Sequence, residues 1–256
     1  MNNYFDFIGK VVLVTGASSG IGRATAELFG SFGASVAITY HQNKAGAENA
    51  VSNINENGET RAIALEVDVR DNAQITKMVR HVEESLGPVD ILVNNAGSLI
   101  QRLRTLEMTE ERWDEVMNLN TRSAFFAAQA VIPKMLERGG GSIINVTSIA
   151  GRNGGAPGSI HYSSAKAAVL TMTKGLAKEF AAQGIRVNAV SPGVIDTPYH
   201  ETFTTSEVME NLRKAIPMGR EGRSSEVAGV IAFLASDAAS YLCGETIEIN
   251  GGLLMD

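Results

Sequence analysis

The stretch Val11–Gly22, which reads VVLVTGASSGIG, decides the fold. Its first four residues are apolar and rich in valine, which is typical of a parallel strand buried on both faces. The turn Thr15–Gly22 follows at once and leads into a segment of helical period. Glycines in such a turn let backbone N–H groups approach a pyrophosphate at the positive end of the helix. The pattern favours a dinucleotide site, although a tight turn without a ligand would have the same composition.

The rest of the chain repeats this alternation of short apolar runs and longer helical segments. The further apolar runs are Ser35–Tyr40, Ala62–Val67, Ile91–Val93, Ile143–Val146, Val187–Val190 and Thr246–Ile249. The segments of helical period are Ile21–Phe32, Lys44–Asn57, Ala73–Leu86, Glu110–Glu137, Tyr162–Ala182 and Ser225–Ala235. This alternation predicts one α/β domain over residues 1–256, a Rossmann-type doubly wound parallel sheet with helices on both faces.

Two segments depart from the alternation. Gly151–Gly158 is a loop by composition. Asp196–Gly222 is polar, contains two prolines and lies between a strand and a helix. Long irregular insertions in compact domains are often lids or binding loops, so a substrate lid over residues 196–222 is one interpretation.

Composition and charge exclude several classes of protein. The 256 residues carry a net charge of −6, which disfavours a nucleic-acid partner. The one cysteine allows no intrachain disulfide and no cysteine-based metal site, and the four histidines lack metal spacing. The N-terminal segment does not resemble a signal peptide and no apolar run is long enough to span a membrane, so we expect a cytoplasmic protein.

The pentapeptide Tyr162–Lys166, YSSAK, is the sharpest chemical feature. Positions i and i+4 share one helix face, which places the Lys166 ammonium beside the Tyr162 phenol. A phenol has a pKa of about 10, and a nearby cation favours its ionised form, as general acid/base catalysis requires. Alone this pattern is weak, since tyrosine and lysine at helical spacing are common on solvated faces.

Ser148 strengthens the chemical interpretation because it follows the apolar run Ile143–Val146. It should therefore lie at the carboxyl edge of the sheet, where open α/β folds bind ligands. A hydroxyl there can donate to a carbonyl oxygen that gains negative charge, although a simple turn residue would occupy the same place. A serine hydrolase is disfavoured because no GxSxG elbow surrounds Ser148.

These motifs together resemble the single-domain branch of the short-chain dehydrogenase/reductase family. The resemblance runs from about Lys10 to Gly252, nearly the whole chain. In order, its motifs are Thr15–Gly22, Asn94–Gly97, Asn120, Ser148, Tyr162 with Lys166, Pro192–Gly193 and Asn250–Gly252. The spacing from Ser148 to Tyr162 is slightly long for the family.

The resemblance implies an oxidoreductase that moves a hydride between NAD(P)(H) and a carbonyl or alcohol. Tyr162 would be the acid in reduction and the base in oxidation. Lys166 would hold the nicotinamide ribose and tune Tyr162, Ser148 would orient the reacting oxygen, and Asn120 would anchor a water in a proton relay. The implied cofactor contacts are Gly16, Ser18, Ser19, Gly20, Ile21, Gly22, Tyr40, His41, Asp68, Val69, Asn94, Ala96, Gly97, Tyr162, Lys166, Pro192, Gly193 and Thr197.

Within that set, the resemblance divides the contacts between the two ends of the cofactor. Asp68 would contact the adenine, with Val69 beside it, and Asn94 and Gly97 would line the adenosine side. Pro192, Gly193 and Thr197 would flank the nicotinamide, with Thr197 near its carboxamide.

The end of the second apolar run bears on the choice of cofactor. An acid there would grip the ribose 2′-OH of NAD, but the chain reads Tyr40-His41-Gln42-Asn43. Nothing at this position would repel a 2′-phosphate, and His41, Asn43 and Lys44 could approach one. Ser19, however, stands where a basic residue would strengthen the case. We therefore favour NADP(H), with NAD(H) as the alternative.

Substrate and partners are less defined by the sequence. The resemblance covers 3-oxoacyl-[acyl-carrier-protein] reductases and sugar or polyol dehydrogenases, and implies a homotetramer with Ala124–Met135 and Leu253–Met255 as candidate contact surfaces. An acidic carrier protein would require a basic docking surface. The sequence offers little support for one, because its four candidate arginines are scattered: Arg102, Arg104, Arg122 and Arg138. Candidate polar groups of the pocket, each of which could instead be structural, are Asn153, His161 and Tyr199.

Two alternatives to this function stay open at the level of sequence. A non-catalytic dinucleotide sensor or scaffold could use the same fold, since fold alone does not establish function. An epimerase or dehydratase of the extended branch of the family is a second alternative, although the short C-terminal region leaves little room for a separate substrate domain. The first would have no need of Tyr162 paired with Lys166.

Overall fold

The computed structural model describes residues 5–56, 61–198, 203 and 205–255. Nine strands lie in these residues: β1 Val11–Val14, β2 Ser35–Tyr40, β3 Ala62–Glu66, β4 Ile91–Asn94, β5 Gly141–Val146, β6 Ile185–Pro192, β7 Ile195–Asp196, β8 Gly222–Arg223 and β9 Thr246–Ile249. The described helices are α1 Gly20–Ser31, α2 Lys44–Asn55, α3 Asn72–Leu86, α4 Glu110–Met117, α5 Ser123–Glu137, α6 Ala150–Asn153, α7 Ile160–Phe180, α8 Ser206–Ala215 and α9 Ser224–Ala235.

Seven of the strands form one parallel sheet in the order β3-β2-β1-β4-β5-β6-β9. The chain builds outward from β1 through β2 to β3, and then returns to place β4 on the other side of β1. The predicted doubly wound parallel sheet is confirmed. The reversal of direction lies between β1 and β4, and ligands of open α/β sheets bind at the carboxyl ends of such strands.

Alternating side chains of each central strand enter two separate cores. Val12 and Val14 of β1 pack on the face covered by α1, α2 and α9. Val11 and Leu13 pack on the opposite face, which α3, α5 and α7 cover. This two-residue period explains why the strands read as continuously apolar in sequence, because both of their faces are buried.

The structure corrects several boundaries predicted from composition. The predicted loop Gly151–Gly158 begins as a helical turn, α6, whose end Gly154 adopts a left-handed backbone. The predicted irregular insertion Asp196–Gly222 contains the ten-residue helix α8, and its two ends pair as the short strands β7 and β8. Composition missed α8 because its polar residues leave no described side chain of the helix buried.

The long predicted helix Glu110–Glu137 is interrupted where it reaches the site. A π-helical turn over Asn118–Arg122 joins α4 to α5, and such turns are frequent at functional sites. The apolar side chains of α5 lie mostly within the subunit, since Ala127, Val131 and Met135 are almost fully buried. This corrects the expectation that the whole segment Ala124–Met135 is available as a contact surface.

Helix length and polarity bear on membrane insertion. Within the described ranges, no helix has both the length and the apolar character that crossing a bilayer would demand.

Candidate active site

The glycine-rich turn after β1 is tied to the turn that follows β4. Thr15 Oγ1 accepts hydrogen bonds from the backbone N–H groups of Asn95 and Ala96, both at 3.0 Å. The Asn95 Nδ2 atom donates in return to the carbonyls of Thr15 and Gly16, both at 2.9 Å. Gly16 has φ +63° and lies against Ala96, where a Cβ would be 2.9 Å from the Ala96 Cα. The two turns therefore form one rigid floor at the switch point of the sheet.

The N-terminus of α1 opens onto this floor. Ser19 caps the helix with an extended backbone, and its hydroxyl makes no capping hydrogen bond. Ser19, Gly20, Ile21 and Gly22 all line the adjoining cleft. The first N–H groups of a helix lack partners within it and carry its positive dipole end, so this turn fits a pyrophosphate. These residues suit the dinucleotide that the sequence predicts.

Lys166 is almost completely buried beneath the cleft, at 4% exposure. Its Nζ donates to the Val146 carbonyl at 2.9 Å and lies 5.7 Å from the centre of the Tyr162 ring. Burial lowers the pKa of the Lys166 ammonium from 10.5 to about 8, because the charged form is poorly solvated there. A cation held at this cost, and within reach of a phenol, is typical of a functional site.

We expect the Lys166→Met variant to be more stable than the wild type at pH 7. Between about pH 8 and 10.5 the unfolded chain holds a proton on Lys166 that the native chain has lost, so the stability of the wild type rises with pH in this window. Below about pH 8 the native chain also holds the proton and bears the full cost of burying the charge. Removing the amine should raise the free energy of unfolding at pH 7 by about 1 to 3 kcal/mol, after allowance for the lost hydrogen bond.

Urea unfolding at pH 7 and at pH 10 measures this effect, and the advantage of the variant should shrink at pH 10. Lys174→Met is the matched control, because Lys174 is exposed on the same helix. A Lys166→Met variant that is less stable than the wild type at pH 7 would contradict the assigned cost of burial.

Asn120 lies in the π-helical turn between α4 and α5, with only 2% of its surface exposed. Its Nδ2 donates to the carbonyls of Ser98 at 2.8 Å and Val116 at 2.9 Å. These bonds fix the amide so that its Oδ1 is buried with no hydrogen-bond partner in the described part of the chain. A buried acceptor without a partner is costly, and an ordered water is the usual solution.

Gly97 separates Asn120 from Lys166. A Cβ at this glycine would lie 2.5 Å from Asn120 Oδ1 and 3.0 Å from Lys166 Nζ. The two polar atoms are therefore close enough for one water to bridge them, provided that residue 97 has no side chain. The resemblance places Gly97 on the adenosine side, whereas the structure puts it against two of the predicted catalytic residues.

Ser148 and Tyr162 face the same cleft, which has a volume of about 540 Å³. Ser148 follows β5 by two residues, and its Oγ accepts a hydrogen bond from the Ala150 N–H at 3.1 Å. That bond leaves the hydroxyl proton of Ser148 for another acceptor. Tyr162 projects from the first turn of α7, so the cleft brings a hydroxyl donor and a phenol together beside Lys166.

The ends of β6 and β9 close the cleft on its other side. The Gly193 N–H donates to the Ile249 carbonyl at 2.9 Å, and a Cβ at Gly193 would lie 2.7 Å from that of Asn250. Pro192, Gly193 and Thr197 line the cleft, as the prediction for the nicotinamide end requires. Thr197, however, lies over the start of α1, with its Cγ2 3.2 Å from the position of a Cβ on Gly20. It thus reaches the phosphate turn as well.

Several residues predicted to contact the cofactor have side chains that point elsewhere. The Asn94 amide is buried and donates to Asn145 Oδ1 at 2.9 Å and to the Ala124 carbonyl at 3.2 Å. Tyr40 and Val69 belong to the cores, at 8% and 7% exposure. For these positions only the backbone is left to meet a ligand. The sequence analysis placed these residues near the cofactor but did not reveal that their side chains are buried in the protein.

Asp68 is held by a neighbouring cation at the end of β3. Arg70 Nη2 donates to its carboxylate at 2.7 Å, and this pairing holds the pKa of Asp68 below its ordinary value. The carboxylate therefore stays ionised and fixed at the edge where the adenine is predicted to bind.

The predicted polar pocket residues separate in the structure. Asn153 lines the cleft. His161 is fully buried, its Nε2 lies 3.1 Å from the Gln101 carbonyl, and burial lowers its pKa, so it is a neutral structural residue. Tyr199 lies outside the described residues.

Asn95 and Arg102 are cleft residues that the sequence analysis did not place in the site. Asn95 is the residue that clamps the phosphate turn, and its place inside the Asn94–Gly97 motif could have revealed it. Arg102 lines the cleft from the segment after that motif. Among scattered surface arginines, nothing in the sequence distinguishes it.

Comparison with known proteins gives consistent results over nearly the whole chain. A family described as Enoyl-(Acyl carrier protein) reductase matches residues 16–254. A 3-oxoacyl-[acyl-carrier-protein] reductase FabG from Thermotoga maritima is 44% identical over 252 residues, which cover 96% of this chain and 98% of that protein. A 3-oxoacyl-[acyl-carrier-protein] reductase from Synechocystis is 40% identical, with coverage of 96% and 97%. A crystal structure from Sinorhizobium meliloti 1021, assigned as a short-chain alcohol dehydrogenase, superimposes with a TM-score of 0.92 at 38% identity and covers 98% of each chain.

Proposed function

Because the chain belongs to the short-chain dehydrogenase/reductase family, whose members are NAD(P)-dependent oxidoreductases acting on carbonyl and alcohol groups, we propose that Tyr162 is its acid/base. One observation carries this assignment. The phosphate turn at the start of α1, Tyr162, Ser148 and Lys166 all open into one cleft at the carboxyl edge of the sheet. A hydride carrier and a proton donor can therefore meet over one substrate carbon.

Each side chain has a defined task in reduction. When it is bound, the nicotinamide supplies the hydride. Tyr162 gives its phenolic proton to the substrate oxygen, and the Ser148 hydroxyl donates a hydrogen bond to that oxygen as its charge grows. Lys166 Nζ donates one N–H to the Val146 carbonyl, so two N–H groups remain for a ribose hydroxyl and for a water. In oxidation Tyr162 takes the proton instead.

Asn120 completes a route by which Tyr162 regains its proton. Its unpartnered Oδ1 would accept from a water that Lys166 also binds, across the space that Gly97 leaves. This arrangement supports the relay role that the resemblance implies for Asn120.

The family assignment bears on the two alternatives. Nothing in the comparisons favours a non-catalytic sensor or scaffold, and Tyr162 with Lys166 lies in the cleft rather than on a solvated face. The extended branch also finds no support, because the relatives match the chain over nearly their full length.

The proposed activity is tested by a substrate panel run in both directions. It should contain aldehydes, ketones, sugars, polyols and a 3-oxoacyl thioester, the last because two of the relatives are named for such substrates. Hydride transfer is followed through the absorbance of the reduced nicotinamide. No transfer with any member of the panel, while the cofactor still binds, would refute the proposal.

For the cofactor itself, we favour NADP(H) from the surroundings of the end of β2. No carboxylate stands at Tyr40–Asn43 to bind a ribose 2′-OH. His41 and Lys44 are exposed there, and the ionised carboxylate of Asp68, after β3, is paired with Arg70. Asn43 is occupied as the cap of α2, where it accepts from the Gly46 N–H at 3.0 Å.

We expect NADPH to bind at least about tenfold more tightly than NADH, since one charge-assisted contact to the 2′-phosphate provides that difference. Fluorescence titration of both cofactors at fixed salt measures it. His41→Asp should weaken NADPH and spare NADH, while Lys174→Gln, distant on α7, should change neither. Tighter binding of NADH by the wild type would overturn the preference.

The segment after β6 is proposed as the substrate lid. Val208 and Leu212 of α8 line the cleft, although the helix buries no side chain, so α8 covers the cleft without being fixed in a core. Segments with few buried contacts are those that open and close around ligands.

We also propose the homotetramer that the family resemblance implies. In the two candidate contact segments, Ala124–Met135 and Leu253–Met255, the side chain of Phe125 is 39% exposed and that of Met255 is 76% exposed. Apolar side chains left exposed in this way are candidates for subunit contacts.

A further inference from the structure

We propose that the substrate of this enzyme carries a carboxylate, which Arg102 binds at the mouth of the catalytic cleft. This inference rests on the oxidoreductase function proposed above, and it adds the chemical class of the substrate. Two of the relatives are named 3-oxoacyl-[acyl-carrier-protein] reductases, and the inference is argued from the residues of this chain rather than from those names.

The charges that line the cleft point to an anion. Of the described lining residues, Arg102 and Lys166 carry charge, and none carries a carboxylate. Lys166 lies beneath the cleft beside Tyr162 and donates to the Val146 carbonyl, so Arg102 is the remaining cation among the described lining residues. The phosphates of the cofactor are expected at the start of α1, so Arg102 offers a further cationic group to a second anion in the cleft.

Arg102 is held in place through the backbone on either side of it. The Gln101 carbonyl lies 3.1 Å from Nε2 of the buried His161. The Leu103 N–H donates to the Gly158 carbonyl at 3.0 Å. Both partners belong to the start of α7 or the turn before it, so the backbone that carries the exposed Arg102 side chain is fixed relative to Tyr162. Positioned groups of this kind orient a substrate for reaction.

The guanidinium of Arg102 is presented with one edge available. Its Nε donates to the Phe203 carbonyl at 3.0 Å. Neither Nη atom has a hydrogen-bond or ion-pair partner in the described ranges. The pair of Nη donors matches the two oxygens of a carboxylate, and such paired hydrogen bonds are strong and directional.

The test compares short oxo acids with their methyl esters as substrates. The probes are 3-oxobutanoate and 4-oxopentanoate, each beside its methyl ester, which removes the charge and adds one methyl group. We expect the wild type to show a lower KM for an acid than for its ester. Arg102→Gln should raise the KM for the acid by about 10- to 100-fold, as expected for a hydrogen-bonded charge pair, and leave the ester unchanged. Arg102→Lys should recover part of the loss.

Arg104→Gln is the matched control, because Arg104 is an exposed neighbour outside the cleft and should leave both KM values unchanged. Equal KM values for acid and ester in the wild type, or an acid-to-ester ratio unaffected by Arg102→Gln, would overturn the inference.

Calorimetry separates this inference from the proposed reaction. Binding of each oxo acid to the Tyr162→Phe variant with reduced cofactor needs no turnover. Binding that Arg102→Gln abolishes would support the anion site even if no hydride transfer occurred, in which case only the proposed function fails. Hydride transfer without any preference for acids, together with binding that ignores Arg102, would leave the proposed function intact and reject the anion site.

Discussion

Tyr162→Phe should lower kcat by about 10²- to 10⁴-fold while the cofactor still binds, since general acid/base catalysis contributes on that order. The substitution removes one oxygen and keeps the ring, which lies 5.7 Å from Lys166 Nζ. The phosphate turn, on the other side of the cleft, is untouched. The loss should therefore appear in kcat for both directions, because Tyr162 is the acid in one and the base in the other.

The measurement is steady-state turnover beside a fluorescence titration of the cofactor. Tyr241→Phe is the matched control, because Tyr241 is fully exposed at the surface and should retain wild-type activity. Near-normal turnover by Tyr162→Phe would remove this residue from the mechanism, and loss of cofactor binding would make it a binding residue instead.

Gly97→Ala should lower kcat by about 10²-fold or more, because small displacements of catalytic groups have effects of this size. The added methyl would lie 2.5 Å from Asn120 Oδ1 and 3.0 Å from Lys166 Nζ, so both side chains must move. Gly97 does not adopt a left-handed backbone, and alanine is therefore tolerated by the main chain itself. The expected loss of activity therefore comes from displacement of Asn120 and Lys166 and not from strain in the backbone.

Gly229→Ala provides the control for a change of glycine to alanine. Gly229 lies in α9 with nothing within 4 Å of its added Cβ, so this variant should stay active and gain about 1 kcal/mol of stability. Thermal unfolding of both variants distinguishes a damaged site from a damaged fold. Full activity of a folded Gly97→Ala variant would show that the space beside Lys166 is not needed.

The sheet and much of the site could be predicted because their signals are local. A strand buried on both faces reads as Val11–Val14, and its alternation between the two cores needs no knowledge of partners. The i, i+4 spacing of Tyr162 and Lys166 follows from helix geometry alone. The glycine turn likewise has a direct physical reason. Each of these features depends on a few consecutive residues.

The features that escaped prediction depend on contacts between distant segments. Arg102 becomes a cleft residue only because Gln101 and Leu103 bond to the beginning of α7. Asn94 is internal because its amide finds Asn145 of the neighbouring strand. The helix α8 lies in a segment that is polar by composition, and none of its described side chains is buried in a core. Sequence patterns report burial well and partners poorly.

The hydrogen bonds between the turns after β1 and β4 also have a consequence for the order of folding. Thr15 and Ala96 are 81 residues apart in the chain, and no pair of neighbouring strands in the parallel sheet is joined by a hairpin. Closing a loop of this length costs entropy before the contacts at its ends can form, so we expect the cofactor pocket to form late, after β4 has docked. A dinucleotide can then stabilise the assembled sheet but cannot nucleate it, because the place where it binds exists only once both turns are in contact.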